Sequence, residues 1–416
     1  MVENKLFHRN FTLIIIGQII SLLGNATLSF AIPLYLLDRT GSGTIFGVVM
    51  AISIIPTILL SPIGGIIADR VNRRNIMVIL DFITFIIVLL SIAFIKNTPI
   101  FSAAATLILL SIIRSFYQPA VQASIPTITS SDNLLKANSL VNMVNAVSML
   151  IGPILGGFLY GLFGITPIIL LASIAFLLSA IMELFINMPF KKKEITTNIF
   201  TSVKNDFSES ILFITKEKPF IAKTIGVAAF MNLTLSSALI IGIPYIINIT
   251  LNLNSELYGI AQSAIGIGAL IGGISVGVFS KKLTHDKFHI PLFLASIFIL
   301  PIGIVLMLNL PAMTSYFVII ISAFLVMACA TVFSITAITL VQQVTPNDMI
   351  GKVMSFVTTL SMCAQPIGQS MYGALFDKVS SHIYIIIFVT VALLIGIVAF
   401  SRRIFKNIEI QSQPSL

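Results

Sequence analysis

Long apolar runs, separated by short polar gaps, follow one another along almost the whole chain, and they number twelve. They cover 11–37, 44–67, 76–95, 100–125, 134–163, 166–188, 220–249, 257–279, 290–309, 313–341, 350–376 and 381–404. About 20 consecutive apolar residues cross a hydrocarbon core as an α-helix, which satisfies its own backbone hydrogen bonds there. The pattern predicts an all-α membrane protein of twelve transmembrane helices. Several runs exceed the minimum length and carry Pro33, Pro56, Pro153, Pro244 or Pro366, so tilts and kinks are expected.

The longest polar interruption, 189–219, is basic and long enough to join two bundles. It divides the chain into an N-terminal six-helix bundle (1–188), a cytoplasmic linker (189–219), a C-terminal six-helix bundle (220–407) and a flexible tail (408–416). An even span count puts both termini on one side. Of the 24 Lys and Arg residues, 20 lie in the termini and in alternate gaps that face that same side. Only Arg39, Lys96 and Lys378 fall opposite, and Arg114 sits inside a span. The positive-inside rule makes the termini and the linker cytoplasmic, in a multi-pass protein of the cell membrane.

Composition then excludes several classes. With 57% hydrophobic and 9% charged residues, the chain is far more apolar than a water-soluble core of 416 residues requires. The net charge of +9 reflects topology, because the basic residues are spread thinly over loops with little aromatic interleaving, unlike a nucleic-acid site. Cys329 and Cys363 both fall in spans, so no disulfide framework or thiolate metal site is indicated. His8, His285, His289 and His382 lie at loops or termini, which argues against an intramembrane metalloenzyme. The first run is too long for a signal-peptide core and is expected to be retained.

The two halves echo each other. Asn25-Ala-Thr27-Leu28-Ser29 in span 1 corresponds to Asn232-Leu-Thr234-Leu235-Ser236 in span 7, and each is followed by a proline and a tyrosine (Pro33, Tyr35; Pro244, Tyr245). The approach to span 5 (Pro126, Asp132, Lys136, Ser139) matches the approach to span 11 (Pro346, Asp348, Lys352, Ser355). Duplication of a six-span unit is a transporter architecture, with a site between two bundles that rock about it. Span 5 carries Gly152, Gly156, Gly157 and Gly161, and span 8 carries Gly266, Gly268, Gly272, Gly273 and Gly277. Such spacing lets helix backbones touch, and these two faces are expected to pair where the bundles slide.

Three segments resemble the major facilitator superfamily, in particular its twelve-span drug–proton antiporters. Gly65-Ile-Ile-Ala68-Asp69-Arg70-Val-Asn72-Arg73-Arg74 is similar to the signature loop between spans 2 and 3. The resemblance implies a conformational latch made by Gly65, Asp69, Arg70, Arg73 and Arg74. The alternative is a basic loop that only sets topology. Asn72 stands where the family has glycine, and a left-handed turn, which asparagine tolerates, is expected there. Ser148-Met-Leu-Ile-Gly152-Pro153-Ile-Leu-Gly156-Gly157 resembles the antiporter motif, with Ser148 for its first glycine, and implies export by exchange. Arg114 resembles the family's span-4 arginine tied to proton coupling, with Pro119 in place of a glycine. The run Gln118-Pro119-Ala120 through Ala137-Asn138-Ser139-Leu140 to Gly152-Pro153 resembles the macrolide-efflux branch. The loop Ser280-Lys281-Lys282 lacks the aspartate of its first-half counterpart.

An arginine at membrane depth costs roughly 2.5–3.5 kcal/mol on insertion scales, so Arg114 should face protein or a water-filled cavity. It serves either coupling or a structural ion pair with Asp81. Asp81 and Glu183 are the carboxylates well inside spans, Glu183 close to an interface, and Asp38 closes span 1; with Arg114 these are the coupling candidates. Span 1 has Gln18 and Asn25 where many such antiporters have an acid. Substrate-wall candidates from spans 1, 4, 7 and 10 are Asn25, Phe30, Phe116, Tyr117, Gln118, Met231, Asn232, Phe324, Met327 and Phe333. Phe and Met with a few amides suit a bulky amphipathic ligand held by shape. The expected function is secondary active export of hydrophobic or amphipathic compounds, macrolide-like drugs foremost, with protons as the counter-substrate. The alternatives are export of an endogenous solute (a siderophore, peptide antibiotic or lysophospholipid) and a non-transporting receptor or scaffold. No cofactor, metal or enzymatic activity is expected, and the chain is expected to work as a monomer in the bilayer.

Overall fold

The computed structural model describes residues 6–130, 133–188, 210–279, 289–346 and 349–405, without the side chains of residues 62, 69, 351, 404 and 405. Long helices follow one another: α1 (Arg9–Thr40), α2 (Gly43–Arg70), α3 (Arg73–Ile95), α4 (Pro99–Ile128), α5 (Leu134–Phe163), α6 (Ile165–Leu184), α7 (Pro219–Thr250), α8 (Ser255–Phe279), α9 (His289–Met307), α10 (Ala312–Val344), α11 (Ile350–Lys378) and α12 (Ile383–Phe405). No strand occurs among the described residues. Eleven of these helices are long and apolar enough to cross a membrane. The other, α11, has 29 residues, a rise of about 43 Å, and turns its polar residues inward. Its Ser361, Gln365 and Gln369 are all buried. Leu59, Phe101, Ile274 and Phe317, among many apolar side chains, are exposed, as befits a surface wetted by lipid.

Helix ends fall where local chemistry satisfies the terminal backbone groups. Gly41, at φ 60°, closes α1 by donating its N–H to Leu37 O at 2.8 Å. Ser42 caps α2 through Ile45 N, and Asn72 caps α3 by accepting from Arg74 N at 3.1 Å. Asn72 is therefore not left-handed: its φ is −61° and its ψ 112°, the extended backbone of an N-cap. The residue replaces glycine because the next helix starts there and its side chain accepts the cap bond. α6 ends earlier than the apolar run suggests because the Arg74 guanidinium takes the carbonyls of Glu183 and Leu184. α9 breaks at Ile299, since the ring of Pro301 and its missing N–H interrupt the ladder.

The chain forms two compact units, Met1–Glu194 with Pro244–Ser263, and Ile195–Ile243 with Ala264–Leu416. In unit 1, two apolar layers enclose a polar one. α1 gives Phe11, Ile14 and Ile15 to the first layer and Leu28, Ala31 and Ile32 to the second, with Gln18, Ser21 and Asn25 between. α3 repeats the order with Met77, then Asp81 and Thr84, then Val88. α4 and α6 run it in reverse, through Leu110, Arg114, Tyr117 and Val121, and through Phe176, Ser179, Glu183 and Ile186. In unit 2, Phe213 and Ile214, near the end of the basic interruption, are buried with Ile221, Ile225, Val341, Val353 and Val357.

The two echoed motifs have different backbones. Asn25–Ser29 is regular helix, with the Ser29 hydroxyl bonded to Asn25 Oδ1 at 3.1 Å. Asn232–Ser236 is a π turn, and the Ser237 hydroxyl sits 2.7 Å from Asn232 O and 3.3 Å from Gln365 O. A π turn shifts the hydrogen-bond register by one residue, and here a neighbouring hydroxyl meets the displaced carbonyl.

The glycine faces of spans 5 and 8 pair in part: Gly157 and Gly161 of α5 lie against the start of α8, whereas Gly156, Gly268 and Gly272 have other neighbours. A Cβ on Gly156 would lie 2.9 Å from Phe30 Cδ1 and 3.2 Å from Thr27 O, so this glycine admits α1. Gly157 admits the start of α8, with Ser255 O at 2.7 Å and Gly259 Cα at 3.1 Å. Gly268 and Gly272 of α8 lie against the Phe324 and Ala328 carbonyls of α10 and not against α5. Gly156→Leu must displace Phe30 from its stack on Tyr258, whose ring centroid is 4.6 Å away. We expect Gly156→Leu to lower stability by about 1–3 kcal/mol in thermal denaturation of the solubilised protein. Gly226→Ala, where a Cβ meets open space, should leave it unchanged. Equal stability of the two variants would contradict the α1–α5 contact.

Candidate membrane-embedded coupling site

The polar layer of unit 1 surrounds a small cavity lined by Ser21, Leu22, Asn25, Asp81, Thr84, Leu110, Ile113, Arg114, Tyr117, Gln118 and Phe176. Helical spacing gathers these residues: Ser21, Leu22 and Asn25 share one face of α1, and Leu110, Ile113, Arg114 and Tyr117 share one face of α4. The cavity measures about 30 Å³, room for one or two water molecules. A drug-sized pocket takes several hundred Å³, so this cavity is of water size.

Arg114 is exposed to this space although it lies in the middle of α4, and it makes no ion pair with Asp81 among the described residues. The structural pair weighed from the sequence is therefore absent. The guanidinium borders the cavity, while the Asp81 carboxyl, 2% exposed, has the Ser21 hydroxyl at 3.5 Å and the Ser179 and Tyr117 hydroxyls beside it. The loop arginines do not pair with Asp81 either. Arg73 Nε donates to Ala68 O at 3.0 Å, at the end of α2, and Arg74 closes α6. Arg70 keeps one buried guanidinium nitrogen without a partner among the described residues. Gly65 has open space where a Cβ would stand, and the Asp69 side chain lies outside the described residues.

Glu183 is deep in the protein, only 1% exposed. Tyr117 Oη donates to its Oε1 at 2.7 Å, and Gln18 Nε2 donates to Tyr117 Oη at 2.7 Å. Tyr117, read from the sequence as a substrate wall, is thus a buried bridge between acids. Sequence spacing carried a signal for this cluster: Ser179 and Glu183 are one turn apart, and so are Arg114 and Tyr117. Asp38 is separate, exposed near the end of α1, where it accepts a hydrogen bond from Tyr160.

The remaining candidates divide between the units. Asn25 and Gln118 line the cavity, Phe116, two residues before Gln118, is half-buried, and Phe30 is buried against Tyr258. In unit 2, Met231 and Phe333 are buried, and Met327 and Phe324 are half-buried. Asn232 Nδ2 ties α7 to α11, donating to Ala228 O at 3.1 Å and Ser361 O at 3.0 Å. Of the antiporter-motif residues, Gly152 faces Ala26 of α1, and the Pro153 carbonyl faces Gly259. No group of three or more His, Cys, Asp and Glu suited to a metal ion occurs among the described residues.

Residues 14–369 match the sequence profile of the Major Facilitator Superfamily. Macrolide efflux protein A of Streptococcus pyogenes is 23% identical over 384 residues, 92% of this chain and 93% of that protein. The multi-drug resistance efflux pump PmrA of Streptococcus pneumoniae serotype 4 is 31% identical over 190 residues, 43% of this chain and 46% of that protein. The crystal structure of the nucleoside transporter NupG superposes with a TM-score of 0.76 at 10% identity, covering 96% of this chain and 99% of the other. The chain belongs to the major facilitator superfamily. It is a multi-pass membrane transporter of small substrates, with the all-α fold of that superfamily, and not an enzyme.

Because no Arg114–Asp81 pair exists to break, Arg114→Ala should leave membrane abundance close to wild type. Asp81→Ala/Arg114→Ala should be no more abundant than Asp81→Ala. Low abundance of Arg114→Ala, restored by the double substitution, would show that the pair does form in the folded protein.

Proposed function

We propose that the chain exports hydrophobic or amphipathic compounds, macrolide-like drugs foremost, by alternating access and in exchange for protons. The proton half of the reading is carried by one observation: a mid-membrane arginine and a buried aspartate share a cavity of water size. Polar and ionisable groups at such depth are costly and mark ion or proton pathways. Arg114 is a fixed positive charge there, since an arginine guanidinium does not deprotonate in proteins. It tunes the charge state of the acids beside the cavity. The substrate half rests on the likeness to macrolide efflux protein A along nearly the whole chain, and on the Phe, Met and amide residues that the sequence places in α1, α4, α7 and α10.

In this reading the chain sits in the cell membrane as a monomer with both termini cytoplasmic, as the distribution of Lys and Arg directs. The two six-helix halves, 1–188 and 220–407, move about the site, with 189–219 as their linker. Gly65, Asp69, Arg70, Arg73 and Arg74 act as the cytoplasmic latch, and Gly152, Pro153, Gly156 and Gly157 as the closely packed face of an exporter. Asp38, exposed at the end of α1, is a further candidate for proton exchange.

The test is accumulation of a panel of labelled compounds, macrolides included, in cells with and without the protein. We expect less macrolide in cells that carry it, and equal levels once a protonophore is added. Export that survives the protonophore would contradict proton drive. A flat response across the drug panel would contradict the drug reading and favour an endogenous solute.

A further inference from the structure

The cavity explains Asp81 and Arg114 but leaves Glu183 without a role. Two buried carboxyl groups share the polar layer between the apolar layers of unit 1, and no cationic side chain bonds to either among the described residues. Each keeps one buried oxygen without a partner, Asp81 Oδ2 and Glu183 Oε2, and Gln18 Oε1 is likewise unpartnered. A purely structural hydrogen-bond network would satisfy these atoms, because an orphaned buried polar group costs about 1–3 kcal/mol. The orphaned oxygens instead suit a network that gains and loses a proton. Asp81 lines the cavity; Glu183 does not, and the Tyr117 hydroxyl stands between them.

We propose that Glu183 is a second proton site, hidden from the cavity and reached through the Tyr117 hydroxyl, so that Asp81 and Glu183 work as one two-carboxyl proton store. This rests on the proton-exchange reading above. The transfer balances without another reactant. Protonated Asp81 gives its proton to Tyr117 Oη as the phenol proton passes to Glu183 Oε1, leaving the phenol neutral and one proton moved between carboxyls. Gln18, bonded to Tyr117 Oη at 2.7 Å, holds the phenol in position. The groups facing the store are few. α1 offers Gln18 and Ser21, α3 offers Asp81, α4 offers Arg114 and Tyr117, and α6 offers Ser179 and Glu183. Arg74 meets α6 only at the Glu183 and Leu184 backbone oxygens. Two bare carboxylates in one buried layer repel each other, so a proton taken up by one bears on the other.

The experiment uses the full chain in proteoliposomes with a radiolabelled macrolide, read as counterflow without a gradient and as accumulation under an imposed pH gradient. Glu183→Gln keeps the shape and still accepts from Tyr117, so it should retain counterflow and lose gradient-driven accumulation. Tyr117→Phe should slow gradient-driven accumulation by about tenfold with counterflow preserved. Infrared difference spectra of the solubilised protein between acid and alkaline pH should show a carboxylic-acid C=O band that Glu183→Gln removes. Gradient-driven accumulation by Glu183→Gln with the wild-type pH profile would overturn the second site while leaving proton exchange standing. Wild-type counterflow with no response to the gradient would overturn proton exchange itself, and the second site with it. If Glu183→Gln loses counterflow too, the infrared band decides: its removal supports the store, and an unchanged spectrum overturns it.

Discussion

Hydrocarbon offers a polar group no hydrogen-bond partner, and the whole structure follows from that constraint. It forces the backbone into helices and sends single hydroxyls back onto their own helix, as Thr27 does to Leu23 O and Thr336 to Val332 O, each at 2.8 Å. It makes helix ends use side chains: His8, Ser42 and Asn72 cap N-termini, and the arginines after α2 take carbonyls of α2 and α6. The layer of Gln18, Asp81, Tyr117 and Glu183 gathers three unpartnered buried oxygens in one place. It holds more polar capacity than its hydrogen bonds use.

The units handle polarity differently although the sequence halves share short motifs. Unit 1 keeps its buried carboxyls in one layer beside an exposed arginine. Unit 2 places amides and hydroxyls in α7 and α11, where Asn232 and Ser237 reach across a π turn to the Ser361 and Gln365 carbonyls. An uncharged, adaptable polar surface fits recognition of a bulky ligand by shape. A carboxyl pair fits the binding and release of a proton. Buried carboxyls in unit 1 and amide and hydroxyl packing in unit 2 are a difference that the repeated motif alone would not suggest.

Much of this was legible in the sequence because hydrophobic length and basic-residue placement are properties of the chain itself. All twelve apolar runs became helices, and the family match covers the loop, span 4 and span 5 segments that carried the resemblance. What depended on three-dimensional neighbours was less visible. Asn72 was read for the turn that its glycine counterpart makes, whereas a helix start one residue later turned it into a cap. The glycines of spans 5 and 8 share a spacing, but spacing does not choose a partner: Gly156 admits α1, and Gly268 and Gly272 admit α10. Tyr117 was placed on a substrate wall by its depth alone. Its bond to Glu183, 66 residues away, joins helices whose adjacency periodicity cannot give.

Coupled movement of drug and proton is the central claim, and the pH inside proteoliposomes tests it most directly. With purified protein, a pH-sensitive dye in the lumen and no imposed gradient, adding a macrolide outside should shift the lumenal pH as drug enters and protons leave. The account predicts an alkaline shift that rises with drug flux and disappears when the membrane is made proton-permeable. Drug entry at the same rate with no change in lumenal pH would contradict it.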